Sequence, residues 1–208
     1  MAAKLRNAPK QKRSQSLVED VIEATAKLIP DSGYDRATTN KIAELAGVSI
    51  GSLYRYFPNK QAIFRSLLQK VEETHRKQLQ SALTEVRHLA PRDRIEPVVG
   101  AIIDLVMQKR KLMMVLYSNA PQLGAMEFLV RSRQSIRNDI EMALDEFSNQ
   151  SRRKNSEIAA RLIVSCVHGV LEDLIQADST ELEVEVMKKE LTDLFRAYLF
   201  GDSKQPPI

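Results

Sequence analysis

The sequence predicts an all-α protein built from a small N-terminal three-helix, helix-turn-helix domain and a larger C-terminal helical domain. Two observations predict the class: only seven glycines and no tryptophan in 208 residues, and a charged fraction of 28% arranged between apolar residues at helical spacing. A third locates the smaller domain. The stretch Thr38 to Lys60, TTNKIAELAGVSIGSLYRYFPNK, reads as two short helices joined by a glycine turn.

A first helix is marked by the inner stripe Val18, Val21, Ile22, Thr25, Ala26 and Ile29. Pro30 should kink or shorten its last turn and Gly33 should close it. Thr38 and Thr39 are N-cap candidates for the second helix, whose Ile42, Ala43, Leu45 and Ala46 fall on one side, and Gly47 ends it. Ser49 caps the third helix. There Leu53 faces inward with Val48 and Phe57, leaving Ile50, Gly51, Ser52, Tyr54, Arg55 and Tyr56 for the outer faces. Asn59 caps a fourth helix that carries Ile63, Phe64, Leu67, Leu68 and Val71 and runs to about His88 as the rigid link between domains. A break at 90–93 precedes an apolar segment from Val99 to Leu116, and a second break at 119–124 precedes a long helix. Its register holds Met126, Leu129, Val130, Arg133, Ile136, Ile140, Ala143, Leu144 and Phe147. After the polar, solvent-facing loop 148–156 come two last helices, 156–176 and 182–200. The first of these is apolar around much of its circumference.

The run Gly47 to Lys60, preceded by Gly33-Tyr34 and Thr38-Thr39, closely resembles the signature of tetracycline-repressor-like (TetR-family) transcription regulators. The signature fixes about ten residue types at set spacings over roughly 50 positions, so the match, which covers about residues 14–74, is far more specific than a short motif. The resemblance implies a division into a basic arm at 1–13, a DNA-binding domain at 14–74, a helical effector-binding and dimerisation domain at 75–200 and a tail at 201–208. It further implies that Thr39, Ser49, Ser52, Tyr54, Tyr56 and Lys60 hold phosphates of double-stranded DNA, while Asn40, Ile50, Gly51 and Arg55 approach base edges. The final two helices are implied to form a four-helix homodimer interface that pairs the heads on a palindromic operator. Small Ala159, Ala160, Ser165 and Gly169 would allow the close approach, and ordinary packing within one chain is the alternative.

Charge is distributed to match. Ten of the 31 Lys/Arg but only six of the 27 acids lie in residues 1–60, leaving 21 of each beyond, so the whole net +4 sits at the N-terminal end. The arm carries five Lys/Arg and no acid before Ser14, which suits a phosphate backbone or minor groove as well as a solubilising tail. No apolar run approaches the ~18 residues of a membrane span and no apolar signal core follows Met1, so a cytoplasmic protein without a membrane partner is expected.

Enzyme chemistry is not expected, and neither is a cofactor. Cys166 and His168 are two residues apart on a helix and diverge by about 200°, so they form no nucleophile and base pair. His75 and His88 have no matching ligands, and the single cysteine, expected in the core, gives no metal-binding spacing. The effector is an unknown small molecule. Arg133 interrupts an apolar stripe, and with Met113, Leu116, Tyr117, Met126, Leu129 and Cys166 it suggests an apolar ligand with an anionic or accepting end. Arg133 is equally open to pairing with Glu172 or Asp173, or to reaching solvent along its stem. The expected function is a repressor released from its operator by that ligand; the alternative is a DNA-associated adaptor with a role other than promoter control.

Overall fold

The computed structural model describes residues 12–177 and 179–201. Among them are nine α-helices and no strand: α1 Lys12–Arg36, α2 Thr39–Leu45, α3 Ile50–Tyr56, α4 Lys60–Glu85, α5 Ile95–Met107, α6 Arg110–Ser118, α7 Met126–Asp145, α8 Ser156–Gln176 and α9 Glu181–Phe200. None is long and apolar enough to cross a membrane. Residues 1–11 of the basic arm and the tail from 202 lie outside the described residues. A short 3₁₀ turn, Val86–His88, replaces the last expected turn of α4, and a second, Pro91–Arg94, occupies the expected break. The segment from Val99 to Leu116 is two helices, broken at Gln108 and Lys109.

The chain forms two compact units. One contains the residues up to Glu73 together with Arg110–Val130, and the other contains Thr74–Lys109 with the residues from Arg131 on. The helix α6 therefore belongs with the N-terminal helices and packs on α1. Both α4 and α7 pass from one unit into the other, so α4 is not the sole helical link.

In the first unit Val21, Ile29, Ile42, Leu53, Phe57, Ile63, Phe64, Leu68, Met113 and Leu116 are fully enclosed. Burying such side chains is worth about 1.5–3 kcal/mol each and drives the assembly. Arg65 on α4 donates through Nε to the Leu123 carbonyl at 2.8 Å and so secures the turn after α6.

The second unit packs α5 against α8 and α9 around Ile103, Leu144, Ile163, Leu191, Phe195 and Leu199. One buried carboxylate crosses this unit: Asp139 on α7 receives a forked bond from Arg76 of α4, 2.8 Å from Nε and 3.2 Å from Nη2, with Gln80 adding a third bond at 3.1 Å. That pairing holds the Arg76 guanidinium pKa above its ordinary value. The loop 148–156 is mostly exposed as expected, except that Ser151 is buried and donates to the Leu199 carbonyl.

Three expectations about faces are corrected. Met126 and Val130 stand in solvent although they share the apolar register of α7. Leu45 is 52% exposed rather than part of the inner face of α2. Cys166 is exposed, because the core of α8 is filled by Ala159, Ala160, Ile163 and Val164 one turn earlier. An apolar row remains uncovered on the last two helices, formed by Ile158 and Leu162 on α8 and by Leu182, Val186 and Leu194 on α9.

Candidate nucleic-acid interface

Local hydrogen bonds build the helix-turn-helix. The Thr38 hydroxyl accepts from the Lys41 amide at 3.3 Å and starts α2. Gly47, at φ +67°, ends it: the Val48 amide reaches the Ala43 carbonyl at 3.0 Å and the Gly47 amide reaches Glu44 at 3.1 Å, the paired bonds of a Schellman turn. Ser49 then accepts from the Ser52 amide at 3.1 Å to start α3. Asn59 accepts from Ala62 at 2.9 Å at the start of α4. Each of these roles was legible from residue type and position.

The geometry sorts the expected DNA-contacting side chains into three groups. Asn40, Ile50, Gly51, Tyr54 and Arg55 are exposed. A Cβ built on Gly51 meets no atom within 4 Å, so the free fold leaves open space there. Thr39, Ser49 and Ser52 form the second group, tied to their neighbours. Thr39 Oγ1 lies 3.0 Å from the Tyr54 hydroxyl, which joins α2 to α3, and Ser49 Oγ donates to Ser52 Oγ at 2.8 Å.

Tyr56 and Lys60 depart from expectation. Only 8% of Tyr56 is accessible, since it falls beside Leu53 and Phe57 on the inner face, while the Arg55 guanidinium lies 5.9 Å from its ring centre. Lys60 turns inward. Its Nζ donates to the Tyr34 carbonyl at 2.9 Å and the Asp35 carbonyl at 3.4 Å, and it stands 4.0 Å from the centre of the Tyr34 ring. That ring meets Phe64 edge-on at 4.6 Å. Burial, reinforced by the Asp35 carboxylate, raises the Tyr34 phenol above its usual pKa of 10.0.

Two further cations close the same helix end, which sequence reading missed. Arg36 Nε donates to the Ser32 carbonyl at 3.1 Å and Lys41 Nζ to the Arg36 carbonyl at 3.5 Å. Their spacing to Gly33 was the available signal, because a helix that breaks at glycine leaves carbonyls that attract cations.

The residues expected around the effector fall in different units: Met113, Leu116, Tyr117, Met126 and Leu129 in the first, Arg133 and Cys166 in the second. Met113 and Leu116 are enclosed, Leu129 is half-buried and Met126 is exposed. Tyr117 donates its hydroxyl to the buried Glu72 carboxylate. Arg133 is half-buried and donates through Nη2 to Nε2 of His168 on α8, a partner that sequence reading did not consider. That bond requires an unprotonated Nε2.

Comparison with known proteins extends the resemblance beyond the head. Residues 21–67 match the family described as bacterial regulatory proteins of the tetR family, and residues 90–199 match the tetracyclin repressor-like C-terminal domain. The nucleoid occlusion factor SlmA of Haemophilus ducreyi is 39% identical over 64 residues, 31% of this chain and 30% of that protein, so the match spans about a third of that relative's length. SlmA of Idiomarina loihiensis is 22% identical over 182 residues, 84% of this chain and 90% of its own. Among solved structures, a candidate TetR-family transcriptional regulator from Mesorhizobium loti superposes with a TM-score of 0.76 at 18% identity, covering 91% of this chain and 100% of its own. NalD, the secondary repressor of the MexAB-OprM multidrug efflux pump in Pseudomonas aeruginosa, superposes with a TM-score of 0.65 at 20% identity over 92% and 100%. These two likenesses concern the fold. With both its N-terminal and its C-terminal regions matched by models of one family, the chain belongs to the TetR family of bacterial regulatory proteins.

Proposed function

We propose that the protein is a homodimeric, DNA-binding transcriptional repressor that leaves a palindromic operator when a small molecule binds. The observation that carries this reading is the exposed set Asn40, Ile50, Gly51, Tyr54 and Arg55 on a correctly capped helix-turn-helix. These residues have no enclosing role in the free chain, and their chemistry suits a DNA groove: an amide and a guanidinium for base edges, an aliphatic side chain for a thymine methyl, and glycine for close approach. The uncovered apolar row on α8 and α9 supports a dimer. Two-fold symmetry then sets the recognition helices on half-sites about 34–36 Å apart. The repressor sense is supported by NalD, which is described as a repressor.

The effector acts by differential affinity. It prefers a dimer whose head spacing mismatches the operator, so its binding weakens DNA affinity by that preference. An amphipathic molecule with an anionic or accepting end meeting Arg133 is the proposed class, and Arg133→Ala is the control in a thermal-shift screen of amphipathic acids against amphipathic cations.

A second reading is favoured by one observation, the match to relatives described as nucleoid occlusion factors. In that reading the protein binds DNA without controlling promoters. Selection of binding sequences from a random pool, followed by a genome-wide map of occupied sites, separates the two. A palindrome concentrated in promoters supports the repressor, palindromes spread without regard to promoters support the adaptor, and enrichment of no sequence overturns both.

A further inference from the structure

The bond from Lys60 to the Tyr34 carbonyl joins residues 26 apart in sequence, and the whole helix-turn-helix lies between them. Lys60 is the first residue of α4, and Tyr34 and Asp35 belong to the last turn of α1, beyond the break at Gly33. Only Ala37 and Thr38 separate Arg36 from α2, and Ala37 is fully buried. At the other end, Phe57 to Asn59 lead from α3 directly into Lys60. The ammonium therefore stands where the chain enters and leaves the reading head. It holds the two ends together.

We propose that Lys60 is a positioning residue that staples the helix-turn-helix closed through the Tyr34 and Asp35 carbonyls and the Tyr34 ring, and acts on DNA recognition through that staple rather than as a phosphate donor. Two of its three N–H donors already face carbonyls, and its charge lies against a ring face anchored on the enclosed Phe64. The break at Gly33 leaves the Tyr34 and Asp35 carbonyls outside the continuous ladder of α1, and they accept the ammonium directly. Because α2 and α3 are capped by their own Thr38 and Ser49, loss of the staple leaves both helices formed and frees the pair to shift against α1 and α4. Asn40 and Arg55, carried together by that pair, then no longer meet base edges at one fixed angle. Sequence-specific binding suffers more than binding to phosphates.

This inference rests on the DNA-binding reading for its second half, and its thermal half is independent of it. The test is Lys60→Met in the full-length protein, with the unfolding midpoint and the salt dependence of affinity measured for the selected operator and for random DNA. The staple predicts a midpoint lower by about 2–4 °C. It also predicts an operator affinity reduced about tenfold against less than about threefold for random DNA, at an unchanged salt slope. A slope lower by about 0.9 per half-site at an unchanged midpoint would make Lys60 a phosphate donor and overturn the proposal. Equal weakening on both DNAs would reduce Lys60 to a purely structural residue and overturn it as well. If Lys60→Met does not fold, Tyr34→Leu removes the ring while leaving every cation in place: the staple predicts the same selective loss of operator affinity, and unchanged DNA binding overturns it. A wild-type protein that selects no DNA removes the DNA-binding reading and leaves the midpoint to decide the staple.

Discussion

The two units differ in how closely their cations meet carboxylates. In the first, Arg36, Lys41, Lys60 and Arg65 donate to backbone carbonyls, three of them closing the end of α1 and one securing the turn after α6. In the second, Arg92, Arg94, Arg153 and Arg196 also donate to carbonyls, but Arg76 meets Asp139, Arg87 meets Glu146, Arg196 meets Glu96 and Lys188 lies between Asp104 and Glu185 in close ion pairs. By contrast, Lys70 and Glu23 of the first unit stand 4.0 Å apart. A carboxylate cancels the charge it binds, whereas a carbonyl uses the donor and leaves the charge standing. The N-terminal end can thus be held together by cations and still present a net positive field to a polyanion.

If that contrast is correct, perturbing each unit should give a distinct signature, and the largest effect lies in the second. Charging Leu162 and Leu194 together, both exposed in the single chain, should yield a protein that sediments as a monomer and binds operator about 100-fold more weakly or worse, because the two heads no longer act as one ligand. A dimer unchanged in sedimentation would place the seam elsewhere. Leu191 is not a suitable probe, since only 3% of it is accessible and charging it would damage the core.

Next in size is Arg76→Met, which strands the enclosed Asp139 carboxylate with Gln80 as its remaining donor among these bonds. Urea unfolding should register a loss of about 1–2 kcal/mol, because the Asp139 carboxylate is enclosed while the Arg76 side chain is 44% exposed and its attraction is screened by solvent. Arg55→Ala tests the opposite regime. Its stability should hold, while operator affinity falls by about 1–3 kcal/mol and one position of each half-site loses its base preference. Equal effects on operator and random DNA would remove its reading role.

The smallest effect is titratable. Thr180 and Glu183 form a reciprocal capping box at the start of α9, and the bond from the Thr180 amide, then that from its hydroxyl, hold the Glu183 carboxyl below its ordinary pKa of 4.5. A depressed folded value means that the unfolded chain binds the proton more readily. The stabilisation is therefore complete above pH 4.5 and is lost as pH falls through the folded value. Amide protection factors in the first turn of α9, corrected for the intrinsic pH dependence of exchange, should fall on acidification in the wild type and lose that dependence in Glu183→Gln.

What was legible in the sequence is what neighbours within a few residues decide. Thr38, Gly47, Ser49 and Asn59 could be assigned because a cap or a left-handed turn depends on residue type at one position. The choice between two faces of a helix was not, because it depends on which distant element arrives. Tyr56 is the exception: it lies three residues from Leu53 and so on the covered side of α3, a placement that helical spacing alone could have supplied. Cys166 carries that ambiguity on α8, where apolar residues surround much of the helix and the core takes one side. Lys60 fits a phosphate-contact pattern by position, yet two carbonyls from α1 hold it. Arg133 was recognised as out of place, but its partner, His168, sits on another helix 35 residues away.

The membership of α6 in the first unit limits how this protein can be recombined. A hybrid regulator made by joining residues 1–73 to a foreign C-terminal half would leave behind α6, which packs on α1 and contributes the enclosed Met113 and Leu116. The transplanted head would carry an open apolar wound where that helix belongs. Domain swapping here therefore needs three cuts, after Glu73, before Arg110 and after Val130, so that Arg110–Val130 travels with the head it completes.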